Sequence, residues 1–379
     1  MMKIKVGLET HLMLSSKRKL FCQCRPNLDQ CSVCRGTPGS LPRSPSQQIL
    51  SKASTLSNAL NCTTTPKLTF YRKHYNYVDL PNGYQRTQLP LEGLAQSGHL
   101  KLVSSSFDVP IRSLYLEEDP ASIEKYAVCY KRCGNPLVEI VTTPCFIGTP
   151  KQVGSLVTEY LRTVIQLAID LDLCNVAKSI KTDVNVSLLE GAYRYEIKNL
   201  TSISDIRRSL VSASKLLLTE TESNKTFHFK NKLVFSRSKT EYLYTREYNL
   251  PSLDVPPSTP NRLTLHQIYG LIHKRYPHPT AYAYAKLVTP IVQADPTKLQ
   301  KYLCIDPLKG LAQFKLKKST RLEEEVASFV TAVNLTKQDY LQKTTSFRGF
   351  MDKLKQQLVH LQVPFNSLTI NTELARIFL

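Results

Sequence analysis

The sequence contains no run of apolar residues approaching the roughly 18–20 that cross a bilayer as a helix, which argues against a helical membrane span. Its first residues, MMKIKVGLETHL, alternate too strictly for the core of a secretory leader and lead straight into a strand. An amphipathic, arginine-rich organelle presequence is also missing. There is no GxxxxGK(S/T), GxGxxG, HExxH or GxSxG string, so any use of ATP proceeds without a common glycine-rich cradle. No internal repeat, low-complexity tract or block of like charges marks a tail. Acidic residues are scarce: 30 Asp and Glu face 50 Lys and Arg, for a net charge of +20. That surplus favours a polyanionic partner such as nucleic acid, because neutralising phosphates drives salt-dependent binding. The plain alternative is a generally basic compartment such as a mitochondrial or other organelle matrix, or a bacterial-type cytoplasm with a basic proteome.

What is present is enough for a soluble protein of two or three domains: 379 residues, 42% hydrophobic. Residues 3–14 read as a strand, and residues 21–43 as a loop-rich knuckle holding Gly36, Pro38, Gly39 and Pro42. Ser44 or Ser46 caps a helix running to about Leu60. Strands joined by long loops follow over 66–120, then a short strand at 137–141 and an amphipathic helix over 151–173. Strands at 182–188 and 193–198 form a hairpin around Glu190–Gly191, and a helix covers 202–220. The proline-rich stretch 249–260 marks a domain boundary. Beyond it, helices are expected at 261–276, 281–294, 321–335, 347–362 and 366–378.

Four of the ten cysteines crowd together as Cys-x-Cys-x6-Cys-x2-Cys: Cys22, Cys24, Cys31 and Cys34. Four thiolates around a Gly/Pro turn fit a closed tetrahedral Zn2+ site, which with all four ligands filled is structural. The other six are scattered, as buried cysteines in a reducing compartment are.

Strand alternation places residues i and i+2 on one face. Glu9 and His11 therefore share a face, as do Asp183, Asn185 and Ser187, and Arg194, Glu196 and Lys198. A solvated sheet surface explains such faces too, but carboxylates with His and Asn suit a Mg2+ or Mn2+ site. Glu139 sits among Leu137, Val138, Ile140 and Val141, where a carboxylate is costly unless paired or metal-bound. Glu117, Glu118 and Asp119 end a strand and read either as ligands or as an acidic turn. The stretch Tyr71–Gln85 interleaves bases with aromatics, the pattern of a nucleic-acid surface or of a tyrosine-rich core with snorkelling cations.

Taken together, VGLETHL (6–12), KLFCQC and CSVC (19–24, 31–34), GTPGSLP (36–42), FYRKHYNYVDLPNGYQRTQ (70–88), LEED (116–119), GNPLVEIVTTP (134–144), DVNVS (183–187), EIKNL (196–200) and DVPP (254–257) run collinearly over two-thirds of the chain. They resemble the GatB family, one of the component chains of tRNA-dependent amidotransferases. The resemblance implies an α+β fold: a cradle-shaped catalytic domain over 1–257 on an antiparallel or mixed sheet with flanking helices, its cysteine knuckle at 20–36. An all-helical domain over 258–379 would follow, its tRNA-binding tail reduced or absent. It further implies ATP and Mg2+ as requirements, an amidase subunit and a small third subunit as partners, and a misacylated tRNA as substrate. The family phosphorylates the side-chain carboxylate of Glu or Asp on that tRNA, and ammonia then displaces the phosphate. By motif position His11, Glu118 and Glu139 would hold the metal with Glu9 close by. Lys73, Asp183, Glu196 and Lys198 would line the reacting end, and Arg72, Tyr75 and Tyr84 would meet the aminoacyl end of the tRNA.

Departures from the family pattern are concentrated. EEDPAS stands for EEDAGK, Lys131 for an asparagine, AKSIK (177–181) for EGSLR, and Arg86-Thr87 for Ile-Ser in Tyr-Gln-Ile-Ser-Gln. They motivate an alternative, a degenerate tRNA-binding scaffold without kinase chemistry. A free-standing ATP-dependent RNA-modifying enzyme is a more distant third.

Overall fold

A computed structural model describes residues 3–303 except 103, 125–126, 175–179, 220–222, 231, 239–241, 258–262 and 274–277, together with 352, 353 and 356. In chain order the elements begin with strand β1 (Ile4–Met13), helix α1 (Gln47–Ala59), the two-residue strands β2 (Thr63–Thr64) and β3 (Lys67–Leu68), β4 (Tyr71–His74) and β5 (Tyr84–Thr87). Next come β6 (Ala95–Lys101), β7 (Asp108–Glu118), β8 (Ser122–Glu124), β9 (Ala127–Cys129), β10 (Pro136–Thr142), β11 (Phe146–Gly148) and α2 (Pro150–Asp170). Then follow β12 (Ile180–Leu188), β13 (Arg194–Leu200), α3 (Ile203–Thr219), β14 (Lys225–Lys230), β15 (Lys232–Ser238), β16 (Leu243–Arg246) and β17 (Leu253–Asp254). Helices α4 (Leu265–His273), α5 (His278–Ala294) and α6 (Leu299–Leu303) follow. Chain contacts divide the protein into two compact units, 1–261 and 262–379.

The first unit is built on one large sheet ordered β15-β14-β13-β12-β1-β10-β7-β6-β2, with β11 also paired to β1. Its neighbours run antiparallel except β13 and β14, which are parallel and joined through α3, so the sheet is mixed. On β1, Ile4, Val6, Leu8 and Leu12 are fully buried on one face. Val138, Ile140, Leu114, Leu116, Val184, Val186, Tyr195 and Ile197 continue that face on neighbouring strands. Helix α2 lays Val153, Val157, Tyr160, Val164 and Leu167 into this core, and α3 lays Ile206, Leu210 and Leu217 into it. Each helix is short of the apolar surface needed to stand alone, so burial against the sheet supplies most of its stability. A Thr149–Gln152 capping box starts α2, and the Ser46 side chain accepts from the Ile49 amide to start α1.

The expected strands and the helices at 44–60, 151–173 and 202–220 all form, with ends within a few residues of those expected. The expected hairpin is β12–β13, with a bulge between Thr182 and Val184. Strands β14, β15 and β16 arise at Lys225–Lys230, Lys232–Ser238 and Leu243–Arg246, where the periodicity offers no element. The first two extend the large sheet, and β16 pairs with β4 in a small sheet ordered β16-β4-β5. In the second unit α4 and α5 occupy much of the first two helices expected there. The helix expected at 366–378 lies outside the described residues, as does nearly all of those at 321–335 and 347–362.

Candidate active site

The polar face of the large sheet assembles by register. His11 on β1 lies opposite Glu139 on β10, and Glu9 lies opposite Asp183 on β12. Asn185 on β12 lies opposite Glu196 on β13, and Leu137 opposite Glu117 on β7. Because alternate residues share a face, these side chains all leave the sheet on the side away from α2 and α3. Two groups of ligand-type atoms result, each with its members within 4.8 Å of one another: His11, Glu117 and Glu139, and Glu9, Asp183 and Glu196.

In the first group His11 Nε2 lies 3.3 Å from Glu117 Oε1 and 3.4 Å from Glu139 Oε1. Burial disfavours the charged imidazole, but the bonds to Glu117 and Glu139 outweigh it and hold the His11 pKa well above its ordinary value. Burial alone would raise Glu139, but His11, Lys73 and Lys198 overcome it and shift that carboxyl downward. In the second group Lys198 Nζ stands 3.3 Å from Asp183 Oδ2 and 3.1 Å from Glu196 Oε1. The Asn199 amide donates to Asp183 Oδ1 at 2.7 Å, and Asn185 Nδ2 donates to Glu9 Oε1 at 3.0 Å. Burial raises Glu9 to about 7, helped by the charges of Glu139, Asp183 and Glu196 and opposed by Lys198.

Both groups open into one cavity of about 860 Å3. Its far wall comes from the small sheet, where Lys73 pairs in register with Gln85 and Tyr244. The Lys73 ammonium lies 4.6 Å from the centre of the Tyr242 ring, and Tyr75 also lines the cavity. Burial would lower the Lys73 pKa, but Glu139, Glu117 and two tyrosine hydroxyls raise it, so it is a fixed cation. Lys181, the register partner of His11, lines the cavity 3.8 Å from Asp119, which also accepts from Arg132 at 2.5 Å.

The knuckle is a separate cluster. The sulfurs of Cys22, Cys24, Cys31 and Cys34 lie within 4.8 Å of one another, and those of Cys31 and Cys34 are 3.9 Å apart. Four sulfurs around one zinc ion are spaced by roughly 3.8 Å, given Zn–S bonds near 2.3 Å. The donor set and spacing thus fit zinc. The Cys31 amide donates to Cys34 Sγ at 3.1 Å, and the buried Lys19 ammonium is 3.6 Å from the same sulfur. The bond from Cys22, outweighing burial, draws the Cys34 thiol down to about 5, and Lys19 adds to the effect. Gly36 takes a positive φ of 68°, and a Cβ there would meet the Pro81 backbone at 2.8 Å, so only glycine lets the knuckle approach the β4–β5 loop.

A profile of the GatB/GatE catalytic domain matches residues 4–260. The chain belongs to this family. Its curated relatives include the B component of the aspartyl/glutamyl-tRNA(Asn/Gln) amidotransferase of Methanothermobacter thermautotrophicus, 37% identical over 220 residues, covering 55% of this chain and 45% of that protein. The protein of the same name from Methanopyrus kandleri is 38% identical over 221 residues, with the same two coverages. The chain spans about half the length of the curated relatives it matches.

Among the residues that the GatB resemblance singles out, Glu9, His11, Lys73, Tyr75, Glu139, Glu196 and Lys198 line the cavity, and Asp183 stands with them. Glu118 does not. It shares the parity of Leu114 and Leu116, turns to the other side of β7, and is bound by Arg86 at 3.1 Å. Glu117 takes the place expected of it beside His11. Arg72 and Tyr84, expected to meet the tRNA end, are not among the residues that line the cavity. The Arg72 fork is taken up by the fully buried Glu247 at 2.7 and 2.9 Å, and its guanidinium lies 4.8 Å from the Tyr84 ring. Two wall residues, Lys181 and Tyr242, were not expected from the sequence. Their signal is weak, since neither the AKSIK string nor the polar stretch around 242 reads as part of a site.

Proposed function

We propose that this chain carries the kinase and amide-forming site of an aspartyl/glutamyl-tRNA amidotransferase, in the role of its GatB component. The observation that carries this reading is His11 gripped between Glu117 and Glu139, facing a lysine across a single cavity. One imidazole and two carboxylates are a hard, oxygen-rich donor set that fits Mg2+ or Mn2+. Such an ion, when bound, supplies neutralisation of phosphate charge. Lys73 and Lys198 then stabilise the negative charge that develops when the substrate carboxylate takes up the γ-phosphoryl group of ATP. A carboxylate is a poor electrophile until one oxygen becomes a leaving group, which is why phosphorylation must precede attack by ammonia. The carboxylates of Asp183 and Glu196, paired with Lys198, hold that lysine at the reacting end, with Glu9 beside them. Ammonia would come from an amidase partner, with a small third subunit completing the complex. The net charge of +20 suits a tRNA substrate. The four knuckle thiols are assigned a structural zinc ion.

The test is reconstitution with an amidase subunit, glutamine, ATP, Mg2+ and Glu-tRNA(Gln) or Asp-tRNA(Asn). Amide formation on the charged tRNA is expected, and His11→Ala should abolish the ATP-dependent step while leaving the partner's glutaminase intact. Normal turnover by His11→Ala would overturn the metal assignment. Binding of tRNA without phosphate release would favour the scaffold alternative.

A further inference from the structure

Behind the cavity, on the opposite side of the same strands, lies a closed set of four charges, three of them buried and the fourth, Arg72, partly exposed. Arg86 donates through Nη1 to both oxygens of Glu118 at 3.1 and 3.2 Å, and its backbone amide donates to Glu118 Oε1 at 3.0 Å. Its Nε donates to Glu247 Oε2 at 3.0 Å. Glu247 in turn accepts the fork of Arg72 and the side-chain amide of Asn249 at 2.9 Å. The side chains of Arg86 and Glu118 are 3% and 9% exposed and that of Glu247 is 0%, so solvent screens little of these three, whereas Arg72 is partly exposed. Two cations meet two anions, and the Arg86 guanidinium is further flanked by the Tyr84 ring at 5.2 Å and the Phe21 ring at 5.5 Å.

What these charges touch is informative. Glu118 is the neighbour of Glu117, and Arg72 is the neighbour of Lys73. Adjacent strand residues point to opposite faces, so fixing Glu118 fixes the roll of the β7 end and with it the direction of Glu117. The same holds for Arg72 and Lys73 on β4. Strand β5 and the residue after it complete the tie: Gln85 donates to the Glu118 carbonyl at 2.9 Å, and Gln88 both donates to the Leu116 carbonyl and accepts from its amide at 2.7 and 2.8 Å. These amide side chains stand in for strand pairing between the small sheet and the large one.

We propose that Arg86 is a positioning residue that, by bridging Glu118 and Glu247, sets Glu117 and Lys73 in place on opposite walls of the cavity. This rests on the reading of His11, Glu117 and Glu139 as a divalent-cation site. Arg86→Met alone strands a buried Glu118 and is expected to fold poorly. The informative variant is Arg86→Met with Glu118→Leu, because removing both members of a buried pair is often neutral for stability. Full-chain parent and double variant are compared by Mn2+ titration read by electron paramagnetic resonance, and by melting temperature. The double variant should melt near the parent yet bind Mn2+ about tenfold more weakly, as losses of outer supports to metal ligands do. In the reconstituted complex its kcat should fall by about tenfold or more with the KM for ATP little changed. Should the double variant not fold, Arg86→Lys carries the test: it keeps the charge and loses the fork, so about threefold weaker Mn2+ binding is expected. Parental Mn2+ affinity in a folded double variant, or in Arg86→Lys, overturns the proposal alone. A parent that binds no Mn2+ overturns the site reading beneath it as well.

Discussion

Two of the clusters of ligand-type residues in the first unit, the cysteine knuckle and the His11 group, are assembled in opposite ways. The knuckle draws Cys22, Cys24, Cys31 and Cys34 from one loop, and its geometry is a matter of local turns. The sheet-face group draws His11, Glu117 and Glu139 from three strands, and its geometry is a matter of register. The knuckle offers four thiols of its own, whereas the sheet-face group offers three ligand-type side chains and faces a cavity. One arrangement suits an ion that holds the fold, the other an ion that meets a substrate.

Removing the ions is the sharpest way to break this comparison. A strong zinc chelator should lower the melting temperature by tens of degrees, since such sites contribute on the order of 10 kcal/mol to folding and each kcal/mol is about 2–4 °C in a domain of this size. Stripping divalent ions from the sheet face with a Mg2+-selective chelator should move it by only a few degrees. Equal shifts in calorimetry would erase the distinction.

Next in size is the effect of the ligands themselves. Glu117→Gln should weaken Mn2+ binding by about 100-fold, and Glu118→Gln by about tenfold or less with a larger share of its cost in stability. A reversed order in the Mn2+ titration would return the ligand role to Glu118.

The sheet-face group should also show a pH dependence. With its pKa raised above 6.5, His11 carries a proton at neutral pH that an incoming ion must displace. Affinity should climb by about tenfold per pH unit until the folded pKa is passed, and calorimetry in two buffers should read about one proton released. Affinity independent of pH between about 6 and 8 would contradict this.

The smallest expected effect belongs to Glu9. Its carboxyl is raised from 4.5 to about 7 in the folded protein, so the unfolded chain releases the proton first as pH rises. The stability this group contributes is therefore full below 4.5 and is lost as pH rises through 7. Glu9→Gln should match the parent at about pH 4.5 and exceed it by about 1 kcal/mol at about pH 8, softened because Glu9 borders the open cavity. Urea unfolding at the two pH values reads the difference.

How much was legible follows the same division. The knuckle could be read from spacing alone, and the helices α1 and α2 from their periodicity, with Ser44 or Ser46 as the cap of the first. The pairing of Glu9 with His11 followed from alternation. Glu118 was misplaced because the motif offers two adjacent glutamates, and a one-residue shift exchanges the faces of a strand. The correction was available in the pattern itself, since Leu114 and Leu116 share the parity of Glu118 and belong to the core. Strands β14 and β15 were not legible, because in KTFHFKNKLVFSRSK lysines and arginine interrupt the apolar alternation. The pairing of Glu247 with Arg72 and Arg86 was hidden for a further reason: segments 175 and 161 residues apart bring these charges together.

The most direct test of the central claim is anomalous diffraction at the manganese edge from crystals soaked in Mn2+. A peak within coordination distance of His11, Glu117 and Glu139 is predicted, with Glu118 remote from it and still bound to Arg86. No peak there, or one held by Glu9, Asp183 and Glu196 while the His11 group stays empty, would contradict the account.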